Sequence, residues 1–279
     1  MEALAGRLRR HARVEQSTET RCPPMPATRI LYEYPFNEGI RTMLRLEHLF
    51  ERLGRLMVRV DPLDHHFALV TIFEVMDVAS RADLKSDLLK ELERHKAQLQ
   101  SYRGHPGISE AALDEVIGRI DHAFQALIAL QGKAGQPLTT HEWLMSVRSR
   151  IGIPAGTCEF DLPGYYAWQQ HPTERRQADL ERWSACLMPL AQALQLLLGL
   201  LRDSGVTQRM HASGGQFQQR LPEGKSYHLL RLHMSAESEL VPEISGHRLL
   251  VSVRMLRADA EGRLRPTTED ADFEMTLCA

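Results

Sequence analysis

Paired cysteines are missing from this sequence. Cys22, Cys158, Cys186 and Cys278 are scattered over 279 residues with no short spacing between any two. That pattern argues against a disulfide framework and a structural zinc site, and it points to a reducing compartment, the cytoplasm. Long apolar runs are missing too. The longest, Leu194–Leu201, falls far short of the ~20 residues a bilayer span needs. It reads as part of a buried helix, and no direct insertion into a membrane is expected. The first residues, Met1–Glu19, carry arginines but no apolar segment, so they do not form a secretory signal. A strong charge of either sign is also lacking. The formal net charge is −2 at pH 7, which speaks against nucleic acid as a partner of the whole molecule. An anionic partner would have to meet a local basic patch.

The motifs of common catalysts are equally scarce. There is no Gly-x-Ser-x-Gly, no Gly-x4-Gly-Lys phosphate loop and no dinucleotide fingerprint. Gly132-Lys-Ala-Gly lacks the strand–loop–helix setting a phosphate site needs. The 13 histidines show no metal-ligand spacing. His65 and His66 are adjacent and diverge by ~100° on a helix, so they cannot share one ion. His95 falls on an apolar helix face and reads as a core or interface histidine. No metal and no cofactor are expected. Cys158, Asp161 and His171 supply the residue types of a cysteine nucleophile site, so a cysteine/histidine-dependent hydrolase is the alternative reading. Burial of Cys158 beside Phe160 is the commoner fate of such a residue.

What is present is organised around Leu31–Leu56, which changes period in its middle. Ile30, Tyr32 and Tyr34 alternate as a strand would, and Pro35 ends that strand. Asn37 is placed to cap a helix. Ile40, Met43, Leu44, Glu47 and Phe50 share one helical face, and Leu46, Leu49, Leu53 and Leu56 the next. A band that wide needs packing on two sides. Residues 1–28 read as a disordered tail, with Leu4, Leu8 and Val14 giving a frayed turn or two at most. Met25 is a candidate start, which the mass of the natively expressed protein decides.

Further helices are expected from Pro62 to Ser80 on the apolar residues Phe67, Val70, Phe73 and Met76, and from Ala82 to Tyr102 on Leu84, Leu88, Leu92 and Leu99. Another follows Ser109. Thr139 with Glu142 suggests a capping box for a short helix holding Trp143. Cys158–Leu162 reads as a short strand between turns. A long helix starts at Pro172-Thr173, is kinked by Pro189 and ends at Gly205. Tyr227–Met234, His247–Arg257 and Phe273–Cys278 read as strands, and Ser213-Gly-Gly-Gln as a turn. In the second of these strands, alternation puts His247, Leu249, Val251 and Val253 on one face. Arg248, Leu250, Ser252 and Arg254 take the other, a surface suited to an acidic, partly apolar peptide. An ordinary solvated sheet face presents the same pattern.

Four segments in series resemble a known family. They are Tyr32–Glu47 (Tyr-Glu-Tyr-Pro-Phe-Asn-Glu-x-Ile-Arg-Thr-x-Leu-Arg-Leu-Glu), Asp83–Arg94, Gly152–Pro163 and Pro242–His247. In order, they resemble the ZapD family of bacterial cell-division proteins, from about Ile30 to the C-terminus. The resemblance implies a non-enzymatic cytoplasmic homodimer at the division septum at midcell. It would bind the C-terminal tail of the tubulin-like GTPase FtsZ, bundle FtsZ protofilaments and stabilise the Z ring. It implies an α+β fold, an N-terminal α-helical domain plus a β-sandwich-like domain containing one long helix. The expected division is a tail at 1–28, a helical domain at 38–145 and a β domain from 29–37 plus 146–279.

The resemblance also implies site residues. For tail binding they are Arg81, at the basic position after the second helix, and Arg254, the last arginine of the Ser-Gly-His strand. A family arginine four residues earlier falls on Leu250. Arg248 is expected to supply that charge from the same strand face, and Lys85 to extend the patch from one helical turn beyond Arg81. Arg45 matches a first-helix arginine linked to bundling.

Overall fold

Side chains along Arg29–Pro35 alternate, and in the computed structural model these residues form strand β1. The structure describes residues 29–80 and 84–279. The expected tail at 1–28, with Cys22, and Arg81 lie outside the described residues. Pro35 ends β1, and the Asn37 side-chain oxygen accepts the Ile40 N–H at 2.8 Å, the expected cap. Helix α1 (Glu38–Met57) then buries Met43, Leu46, Leu49 and Leu53. Four helices follow: α2 (Pro62–Ala79), α3 (Leu84–Gln100), α4 (Glu110–Ala129) and α5 (Glu142–Ile151). Asp61 caps α2 through Leu63 N–H at 2.8 Å, with Pro62 in the first turn. The α2 helix is apolar on most of its circumference, yet Phe67 is half exposed while His65 is fully buried.

The capping box does not form. Thr139 sits in a 3-10 turn and donates to Gln136 O at 2.7 Å. His141 caps α5 instead, its Nδ1 accepting Leu144 N–H at 3.3 Å. Nor is there a strand at Cys158–Leu162. That segment is a series of tight turns, with Asp161 and Leu162 N–H both bonded to Cys158 O. Phe160, expected beside a buried Cys158, is 77% exposed.

Helix α6 (Pro163–Gln169) leads to α7 (Thr173–Ser184) and α8 (Met188–Asp203). Pro189 lacks an N–H, so the carbonyl four residues earlier, at Ala185, takes no α-helical bond and accepts Met188 N–H instead. The chain there is a 3-10 turn, Ala185–Leu187, in place of the expected single kinked helix. By length and composition alone, Thr173–Asp203 is apolar enough to cross a bilayer, a property that counting uninterrupted apolar residues does not reveal. Its composition has a structural use, because Leu180, Leu187, Leu190, Leu194, Leu197 and Leu198 are core residues.

Two compact units emerge. The helical unit comprises Thr42–His105 and Glu110–Leu198, and the sheet unit comprises 29–41, Pro106–Ser109 and Gly199–Ala279. The helical unit runs beyond the expected boundary at residue 145 because α5, α6 and α7 share an aromatic cluster. Trp143 stacks on Trp183 at 5.2 Å, and Tyr165 stacks on Trp168 at 5.9 Å. All three tryptophans of the chain lie in this cluster, so tryptophan fluorescence reports on the helical unit.

The cluster adjoins two histidines that resist protonation. Burial holds His65 below its ordinary 6.5, and His66, bonded through Nδ1 to the Tyr165 hydroxyl at 2.6 Å, is lowered by the same cause. Below pH 6.5 the unfolded imidazoles take up protons that the folded ones refuse. Stability from these groups is therefore complete above pH 6.5 and is lost as the pH falls from there through the lowered folded values. The urea midpoint followed by tryptophan fluorescence should drop between pH 7.5 and pH 5.5. A midpoint that holds or rises over that interval contradicts this assignment.

In the sheet unit, strands β2 (Val206–Ala212), β3 (Gln216–Arg220), β4 (Leu229–Ser235), β5 (Leu240–His247), β6 (Leu250–Ala258), β7 (Leu264–Pro266) and β8 (Ala271–Cys278) make two antiparallel sheets. One has the order β1-β4-β8-β2 and the other β3-β6-β5, with β7 also on β6. Leu230, Leu232, Met234, Phe273 and Met275 of the first sheet pack on Val251, Val253 and Met255 of the second. This is a β-sandwich, completed by a strand from before the helices, so the fold is α+β. Gly214 and Gly215 turn β2 into β3 with φ of 56° and 72°. A Cβ on Gly215 would stand 2.0 Å from Thr267 O, so only glycine fits there.

Candidate functional site

The turn between β5 and β6 is Arg248-Leu249. Its position fixes which residues share a face of the second sheet. The register pairs Leu250 with His247 on one side and Arg220 on the other. Ser252 pairs with Ser245 and Gln218, and Arg254 with Glu243 and Gln216. Directly opposite residues point to the same side of an antiparallel sheet. Val251, Val253 and Met255 are buried in the core, so these three rows form the outer face.

Leu250, Ser252 and Arg254 share that face as the alternation implies. Arg248 does not. It is an exposed turn residue, because β6 begins only at Leu250. His247 is on the outer face beside Leu250 rather than with Val251, since the turn lies between them. Its Nδ1 accepts Leu249 N–H at 3.3 Å and braces the turn. Leu249 is exposed in the turn, not buried with the valines.

Arg254 is not idle. Its Nε donates to Glu243 Oε2 at 2.8 Å, and Nη2 donates to the same oxygen. Both side chains are about half exposed, at 51% and 49%, so the pair holds little energy and opens at little cost. Alternation within β6 does not reveal this partner, because β5 does not read as a strand. Placing the turn at Arg248-Leu249 would find it, since Glu243 and Arg254 are equidistant from that turn.

A second cation escapes the sequence pattern as well. Arg220 on β3 is exposed and stands directly across from Leu250. The face therefore carries Arg220 beside Leu250 at one end and Arg254 beside Gln216 at the other, with the row of Gln218, Ser252 and Ser245 between.

The remaining candidates belong to the helical unit. Lys85 on α3 is half-buried, and its Nζ donates to Leu130 O at 2.5 Å and Ile128 O at 3.3 Å. Its charge neutralises the C-terminal carbonyls of α4. Arg45 is exposed on α1. On the same unit, a concavity of about 460 Å³ is lined by Phe50, Leu53, Met57, Val58 and Met188, among others.

The sequence model of the ZapD family, described as a cell division protein, matches residues 44–254. The chain is also 51% identical over 251 residues to Cell division protein ZapD of Ralstonia pickettii (strain 12J), an alignment spanning 89% of this chain and 99% of that one. The chain belongs to the ZapD family. The ZapD match begins just before Arg45 and ends on Arg254, so every candidate site residue falls inside it. The ZapD name carries a role in cell division.

Proposed function

We propose that the protein binds the C-terminal tail of FtsZ on the outer face of the β3-β6-β5 sheet. As a homodimer with one such site per subunit, it ties protofilaments together and stabilises the Z ring at midcell. Family membership over most of the chain carries this reading. The chemistry of the face supports it. Arg254 and Arg220 offer planar guanidinium forks to carboxylates, and Leu250 offers an apolar contact beside Arg220. Two modest sites on one dimer suffice for bundling, because the second attachment is intramolecular once the first has formed. The apolar groove holding Phe50, Met57 and Met188 is the surface on which we place the dimer contact. Arg45, exposed on α1, is the bundling residue in this scheme. Arg81 and Lys85 remain tail-binding residues by the family resemblance alone, and Lys85 would first have to leave the α4 carbonyls. The protein acts in the cytoplasm at the septum and needs no cofactor.

The hydrolase reading has no observation in its favour. Cys158 is held in tight turns beside an exposed Phe160, and the concavity described above is lined by other residues.

Sedimentation of polymerised FtsZ tests the proposal. The protein should pellet with FtsZ and not with FtsZ lacking its tail. Equal pelleting with both forms refutes tail binding. A monomer in analytical ultracentrifugation at micromolar concentration removes the bundling mechanism.

A further inference from the structure

The two sheets have four edges, and they are not equally protected. An unpaired edge is a ready template for another strand, and proteins blunt the ones they do not use. On β5 the groups pointing away from β6 belong to Leu240, Pro242, Ile244 and Gly246, since Val241, Glu243, Ser245 and His247 face the even-numbered residues of β6. Pro242 has no N–H. Gly246 is occupied twice by one hydroxyl: Tyr34 OH accepts Gly246 N–H at 3.2 Å and donates to Gly246 O at 3.4 Å. That edge is interrupted at two of its four outward positions.

The β3 edge is different. Met255 N–H bonds Gly215 O and Leu221 N–H bonds Leu249 O. Odd-numbered residues of β3 therefore pair with β6, and the backbones of Gln216, Gln218 and Arg220 point outward. Gln216 N–H is bonded to Ser213 O in the turn. Ser213 is bridged to Gln216 across the turn, so the free groups of this edge are the N–H and carbonyl of Gln218 and of Arg220, which have no partner among the described residues. The strand has no proline and no acidic residue, and the three outward-edge residues are exposed. The segment from Val206 to Arg220 carries Arg209 and Arg220 with no Asp or Glu. On the inward side of β3, the Gln219 side-chain oxygen is buried and unpaired.

We propose that the β3 edge receives an extended acidic peptide as an added strand. The inference rests on the tail-binding reading and names its mode: the FtsZ tail pairs by main-chain hydrogen bonds with Gln218 and Arg220. Alternate side chains of an added strand face opposite sides. Those on the outer side come beside Arg220, with Arg254 one strand further, and are carboxylates. Those on the inner side come beside Phe217, half-buried against Phe273 at 5.3 Å, and are apolar. The surface thus selects a peptide whose acidic and apolar residues alternate.

Calorimetry of the full-length protein with a synthetic FtsZ-tail peptide tests this. Gln218→Pro removes an outward N–H while leaving the bonds to β6, a change edge strands tolerate. It should weaken binding by about tenfold, and by clearly more than Gln218→Ala, which keeps the N–H. Peptides N-methylated one residue at a time should lose affinity at alternate positions only, those whose N–H faces β3. This series needs no variant protein and decides the matter if Gln218→Pro does not fold. Binding by the unmodified peptide that is indifferent to Gln218→Pro and shows no alternation overturns strand addition and leaves tail binding standing. No binding by the unmodified peptide removes both.

Discussion

Arg176→Ala is expected to destabilise the helical unit by several kcal/mol, at about 1–3 kcal/mol for each buried acceptor left without a donor. Arg176 on α7 is only 4% exposed. Its guanidinium donates in five directions. Nε reaches His65 Nδ1 at 3.0 Å. Nη1 donates to Gln169 O at 3.1 Å and to His171 O. Nη2 donates to Val60 O at 2.6 Å and to Thr173 Oγ1 at 3.3 Å. One side chain thus ties the α1–α2 connection, the end of α6 and the first turn of α7. Alanine would take the Arg176 donor from Gln169 O, His171 O and His65 Nδ1, while Val60 O keeps the Thr173 hydroxyl and His65 Nε2 keeps Arg59 O. Arg176→Lys should recover part of the loss, since an ammonium keeps the charge but not the planar fork. Urea unfolding followed by tryptophan fluorescence measures this, because every tryptophan is in the same unit. An alanine variant with the wild-type midpoint would show that the network contributes nothing net.

Arg254→Glu should abolish measurable tail binding. Loss of the guanidinium alone, in Arg254→Ala, should cost ten- to a hundredfold, as expected for one or two charge-assisted hydrogen bonds. Glutamate adds repulsion, and Glu243 across the ladder doubles it. The pairing with Glu243 also makes a prediction of opposite sign. Glu243→Gln releases Arg254 from its present partner and should tighten binding a few-fold, because an exposed pair competes for the guanidinium by about 1 kcal/mol at most. Both effects should shrink as salt is added. The fold should survive each change, since the three variants alter an outer face that supports little of the core. Calorimetry with circular dichroism as control is the measurement. Unchanged affinity in Arg254→Glu with intact structure would place the site elsewhere.

Several elements are legible in the amino-acid sequence. The change of period at Pro35, the Asn37 cap and the stripe of Leu88, Leu92 and Leu99 need only local rules, because a helix face and a cap are set by neighbours within a few residues. The strands most easily read, β4, β6 and β8, alternate strongly. The strands that escape such a reading, β2, β3 and β5, carry Gln, Arg and Ser at exposed positions and a buried proline, Pro242, inside β5, and their pairing comes from distant partners. The short helix after Thr139 is legible but its cap is not, since His141 is closer to the first free N–H and takes the role.

The helical first half and the strongly alternating strands were legible in patterns that repeat every two or three to four residues, and the family, with its α+β class, in four segments that resemble ZapD. The tertiary structure decided how the charges are used. Arg248 left the candidate face because the turn fell on it, and Lys85 spent its ammonium on the α4 carbonyls. Arg220 entered because β3 pairs with β6 across a sequence distance no local rule spans. Glu243 became the partner of Arg254 for the same reason. Side-chain periodicity is written into the chain, but strand register is a property of two segments at once. A one-residue change in where the hairpin turns moves every side chain to the other face.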